Sequence, residues 1–133
     1  MLKFLRLSIR VHSYATEDVE KVMKAVENIL GEVGFSVGKK VLLGYYGDQI
    51  TVLEYEVSGE QDVAGVFKRV LKSLGVGAVG VEEKSSGSGR LHVRLDKQKA
   101  YRGFLAEGEV DPVKLEFFYE GDWREIYRWL ENT

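Results

Sequence analysis

The chain has 133 residues, room for one compact domain, and its hydrophobic fraction of 44% is enough for an ordinary core. Lys and Arg number 19 against 21 Asp and Glu, which argues against a strongly basic RNA-coating protein and leaves local segregation of charge as the route to any polyanion site. The absence of cysteine excludes disulfides, thiolate metal sites and a thiol nucleophile and suits a reducing compartment, so a cytoplasmic location is expected. No apolar run approaches the roughly 20 residues that cross a bilayer, and no membrane partner is expected.

Residues 3–12 alternate, with Leu5, Leu7, Ile9 and Val11 against Arg6, Ser8, Arg10 and His12. This period of two predicts a strand with one buried face, and it lacks the continuous apolar run of a secretory signal. Thr16 is a candidate N-cap, with Glu17 and Asp18 placed where the helix dipole favours negative charge. Val19, Val22, Met23, Val26, Ile29 and Leu30 then recur at helical spacing, and Gly31 is the stop. Residues 35–46 and 50–57 read as a strand pair turning near Gly47, with one of Tyr45 and Tyr46 expected to pack inward. Val63, Val66, Phe67, Val70, Leu71 and Leu74 mark a second helix from about Gln61.

Gly75 to Gly80 is glycine-rich but lacks the Gly-Lys-Ser/Thr ending of a phosphate loop, and residues 82–89, EEKSSGSG, have the composition of a mobile surface loop. Leu91, Val93 and Leu95 make a buried strand face, and Asp96 caps a short helix from Lys97 to Arg102 that Gly103 ends. Leu115, Phe117 and Tyr119 share one face of a last strand, and a terminal helix of about residues 122–131 carries both tryptophans. The expected architecture is a single α+β domain over residues 1–133, with a mainly antiparallel sheet and helices packed on one face.

Three segments carry a resemblance: HSYATEDVEKVMKAVENIL from His12, GYYGDQITVL from Gly44, and LHVRLDKQKAYRG from Leu91. In content and order they resemble a family of archaeal proteins described as predicted RNA-binding proteins or predicted exosome subunits, with a fold like that of ribosomal protein L-five. They span about a third of the chain, and Leu-Asp-Lys-Gln-x-x-Tyr is the most specific string. Gly47-Asp48-Gln49-Ile50 departs from the family's usual Gly-Asn-Pro-Ile. The resemblance implies RNA as a partner, an RNA-processing complex as the setting, and a ribosomal L-five-like fold.

The residues point the same way. Arg94, Lys97, Lys99 and Arg102 beside Tyr101 offer cations for phosphate and a ring for a base, while Arg6 and Arg10 extend a cationic strand face. The alternative is a solvated sheet face with its charges interspersed by Glu54, Glu56 and Glu116. Two histidines without a third ligand do not make a metal site, and no nucleophile and base pair is recognisable, so neither cofactor nor catalysis is expected. A non-catalytic RNA-binding accessory protein is the first reading. The second is a protein-interaction or homodimerisation module that uses the sheet or the aromatic terminal helix.

Overall fold

The computed structural model describes residues 1–85 and 87–131. Its strands are β1 (Lys3–Tyr14), β2 (Ser36–Leu43), β3 (Gln49–Ser58), β4 (Gly80–Ser85), β5 (Ser88–Leu95) and β6 (Val113–Glu120). The helices are α1 (Val19–Leu30), α2 (Glu60–Leu74), α3 (Lys97–Tyr101) and α4 (Ile126–Glu131). All strand pairs are antiparallel, in the order β2-β3-β1-β6-β5-β4. This is the expected α+β class, with β1 central because its alternation buries Leu7, Ile9 and Val11 under the helices.

The helices cover one face of the sheet. Val22, Ala25, Val26, Ile29 and Leu30 of α1 and Val63, Val66, Phe67, Val70 and Leu71 of α2 are buried with Leu53, Tyr55, Val57, Leu91, Val93, Leu115 and Phe117 of the strands. Asp18, not Thr16, caps α1 by accepting from the Glu20 backbone N–H at 2.9 Å. The carboxylate one residue before the helix reaches the orphan amide of its first turn, and this moves the start three residues past the expected cap. Leu5 is 45% exposed rather than buried, because a bulge between Phe4 and Arg6 inserts it as the extra residue and gives the core position to Phe4.

Three other expectations change. Residues 82–85 and 88–89, read as loop, lie in the β4–β5 hairpin; Ser86, within the same segment, lies outside the described residues. The small residues serve close packing there: a Cβ on Gly89 would lie 2.2 Å from the Glu82 carbonyl oxygen. Tyr45 and Tyr46 are both exposed, at 95% and 88%, because they sit in the turn between β2 and β3 rather than on a pleated strand. The terminal helix docks on its own domain, with Trp129 ring centroids 5.7 Å from Phe4 and 6.0 Å from Phe67, which removes this face from the list of free aromatic anchors.

Lys97, expected on the surface, is only 7% exposed. Its Nζ donates to the His12 carbonyl oxygen at 2.8 Å and to Glu17 Oε1 at 2.9 Å, pairs with Asp111 Oδ2, and lies 5.5 Å from the Tyr14 ring centroid. Asp111 reaches it from a left-handed backbone with φ 50°, a conformation that Asp tolerates better than most residues. The end of β1, the approach to α1, the start of α3 and the segment before β6 are tied at one ammonium.

Two predictions follow from burial. Lys97→Met leaves the Glu17 and Asp111 carboxylates unpaired and should cost about 2–3 kcal/mol in urea unfolding. Adding Glu17→Gln to that variant should recover part of the loss, and a double variant no more stable than Lys97→Met would show that the carboxylate is not the cause. Burial, and then Glu27, push the Tyr55 hydroxyl from 10.0 up to about 12, so its contribution is fully present below pH 10 and lost as pH rises toward 12. The amount is about 2–3 kcal/mol. Tyr55→Phe should soften this alkaline loss at no cost near neutrality, since the hydroxyl has no hydrogen-bond partner among the described residues; a sharp loss of stability at pH 7 would refute it.

Candidate nucleic-acid interface

The second face of the sheet carries no helix, and strand register arranges its side chains in rungs. One rung runs Ser58, Arg6, Phe118, Arg90, Glu82, and the next runs Glu56, Ser8, Glu116, His92, Gly80. A third runs Gly38, Glu54, Arg10, Lys114, Arg94, and a fourth Lys40, Val52, His12. Charge is sorted along the strand direction. In the first two rungs the cations are neutralised: Arg6 reaches Glu56 at 2.8 Å, and Arg90 reaches Glu82 at 2.7 Å and Glu116 at 3.2 Å. His92 Nε2 lies 2.8 Å from Glu82, and hydrogen bonds from Arg90 and then His92 hold the Glu82 carboxyl below the usual carboxylate range.

The third and fourth rungs differ. Arg10 pairs with Glu54 at 3.3 Å, a contact as exposed as that of Arg6 with Glu56 and, like it, weak in water. Neither Lys114, Arg94 nor Lys40 has an ion-pair partner among the described residues. Arg10, Lys114 and Arg94 are adjacent in the third rung, with Glu54 beside Arg10, and Lys40 stands in the next. Glu107 and Glu109 border Arg94 across a depression of about 470 Å³, which limits the patch on its β5 side.

The sequence-predicted residues therefore separate. Arg10 and Arg94 share the cationic rung. Arg6 lies on the same face but is occupied twice, by Glu56 and by Phe118, whose ring centroid is 3.8 Å from its guanidinium carbon. Lys99, Tyr101 and Arg102 are exposed around α3, whereas Lys97 points into the ion cluster and is not available to phosphate. Asn28 Nδ2 donates to the Ala100 and Tyr101 carbonyl oxygens, at 3.0 Å each, and fixes α3 on α1. Lys114, Arg90 and Phe118 were missed, although they alternate with residues correctly assigned to the core. His12 and His92 stand on different rungs, and no group of three metal-ligating side chains occurs among the described residues.

The three segments that carried the family resemblance meet at this end of the domain. Tyr14 pairs with Ile50 in the sheet, and Lys97 bonds the His12 carbonyl and covers Tyr14. The first and third also frame a cleft of about 460 Å³ between α1 and α3, lined by Thr16, Glu17, Asp18, Lys21, Gln98, Tyr101 and Arg102 among others.

Comparison with known proteins agrees with the resemblance at the level of the family. A family model described as RNA binding matches residues 6–117. RNA-binding protein PAB1135 of Pyrococcus abyssi is 32% identical over 118 residues, which cover 80% of this chain and 75% of that protein. Mth689, a DUF54 protein from Methanothermobacter thermautotrophicus, superposes with a TM-score of 0.70 at 27% identity, covering 98% of this chain and 95% of its own. SSO0741 from Sulfolobus solfataricus, at 20% identity, shares the fold with a TM-score of 0.71 over 96% and 95% of the two chains. With a matching model over most of its length and a relative above 30% identity, the chain belongs to the RNA-binding family.

Proposed function

We propose that the protein is a non-catalytic, cytoplasmic RNA-binding accessory factor of RNA processing, acting beside an assembly such as the exosome and built on a plan like that of ribosomal protein L-five. The observation that carries the RNA reading is the cationic rung Arg10, Lys114, Arg94 on an open sheet face of a protein whose net charge is −2. Side chains held side by side on paired strands meet successive phosphates without ordering long loops, and each neutralised phosphate releases counterions. Lys99 and Arg102 continue phosphate capture around α3, with Tyr101 as the stacking ring. Arg6 contributes packing on Phe118 more than free charge.

Replacing Arg94 and Lys114 together by Ala should weaken binding to single-stranded RNA about tenfold or more at low salt, and should flatten the salt dependence by about 0.7 in log–log slope per lost phosphate contact. Lys99→Ala/Arg102→Ala should do the same from the α3 side, while Arg6→Ala should change affinity far less. Fluorescence anisotropy across a salt series checks all three, and equal effects from Arg6 and Arg94 would remove the rung as the site.

A second reading, a homodimer, is favoured by β2. All eight of its residues are exposed, and Val41, Leu42 and Leu43 are apolar on an edge strand that has β3 on one side only. Antiparallel pairing of two copies centred on Val41 would set Leu42 opposite Lys40 and Leu43 opposite Lys39, so that no lysine faces another. Because the chain has no cysteine, Val41→Cys should give a disulfide-linked dimer on mild oxidation, and light scattering of the unmodified protein should give twice the chain mass. A monomer mass at high concentration would exclude this pairing.

A further inference from the structure

We infer that the cleft between α1 and α3 takes one guanine base of a single-stranded RNA. The inference rests on the RNA reading above and adds base specificity to it. The cleft, about 460 Å³, lies within the roughly 300–1,000 Å³ range of small-ligand sites. Glu17, Asp18 and Lys21 stand on the α1 side and Lys97 and Arg102 on the α3 side, and Tyr101 lines it with 43% of its surface free.

The Glu17 and Asp18 carboxylates accept hydrogen bonds and suit the donors of a base edge, while Lys21 and Arg102 suit the phosphate. Asp18 accepts the Glu20 amide through Oδ1 at 2.9 Å, and Glu17 accepts the Tyr14 amide and the Lys97 ammonium through Oε1. In each case the second carboxylate oxygen has no hydrogen bond among the described residues, and Gln98 offers an amide beside them. Guanine presents two adjacent donors on its Watson–Crick edge, N1–H and the N2 amino group, one for the open oxygen of each carboxylate. Adenine and cytosine would each point a ring-nitrogen acceptor at the same oxygens, and uracil offers one donor flanked by carbonyls.

Stacking and phosphate placement complete the site. The Lys21 ammonium lies 5.9 Å from the Tyr101 ring centroid, at the end of an exposed and flexible stem. It can move to the phosphate as the base takes the ring face. Arg102 at the rim, with Lys99 on the same short helix, holds the flanking backbone. The ion cluster below fixes both walls, since Lys97 bonds Glu17 from the start of α3.

The test uses the full chain and the RNA hexamers UUGUUU, UUAUUU and UUIUUU, where I is inosine, which lacks the N2 amino group. Anisotropy should give tighter binding of the G hexamer than of the A hexamer by about tenfold or more, with inosine between them. Asp18→Asn keeps the helix cap, because Asn caps as well as Asp, and should erase the preference for UUGUUU over UUAUUU while circular dichroism stays unchanged. Free GMP should bind more weakly than UUGUUU, and equal affinity would make this a mononucleotide site and overturn the RNA assignment. Equal affinity for the three hexamers, still sensitive to Arg94 and Lys114, would overturn the base cleft and leave the sheet-face reading standing. No binding of any hexamer would overturn both.

Discussion

Lys97 is the one charged side chain in the interior among the described residues, and the functional end of the domain depends on it. A buried ammonium is costly unless it is fully partnered. The partners come from three parts of the chain: His12 and the Tyr14 ring at the end of β1, Glu17 before α1, and Asp111 before β6. Any of these segments that drifted away would expose the others to an unpaired charge. The cluster makes a short helix of five residues into a rigid support, because α3 starts at the lysine itself and is held farther along by Asn28.

Rigidity at that end explains how a nearly neutral protein offers a positive surface. Antiparallel register places carboxylates of β3, β4 and β6 beside Arg6, Arg90 and Arg10 and leaves Lys114 and Arg94 adjacent to Arg10 without a carboxylate partner among the described residues. The bulge at Leu5 takes part in this arrangement. It shifts the pairing of β1 with β6 so that Arg6 faces Phe118, and the guanidinium spends its charge on a ring and a glutamate. A domain with few excess cations concentrates them by pairing off the rest.

Much of this was legible in the sequence, because apolar periodicity is strong where one face is buried. The two helical stripes, Leu7, Ile9 and Val11 of β1, the odd positions of β5 and β6, the Asp96 cap and the Gly31 and Gly103 stops all come from local patterns. The remainder depends on contacts across long chain separations. Lys97 reads as one more helix cation until Glu17 and Asp111, distant in sequence, converge on it. The glycine and serine residues of 82–89 read as a linker until Tyr119 and Glu82 close around Gly89. Lys114 and Phe118 were overlooked for a different reason: the same alternation that identified their inward neighbours also set them outward, but the charge of a face emerges only when strand order is known.

The docking of Trp129 separates two kinds of optical signal. Its ring packs against Phe4 and Phe67, at the opposite end of β1 from Arg10 and His12; six to eight strand residues put these groups about 20–27 Å apart. Trp123 is held to Glu83 on the same side of the domain as that packing. Indole emission is thus an internal gauge of whether the terminal segment is seated and reports little from the rungs, whereas Tyr14 and Tyr101 stand at the end where nucleic acid would sit. Red-edge excitation, which only the indoles absorb, therefore reads the seating of the terminal segment apart from what happens at the rungs.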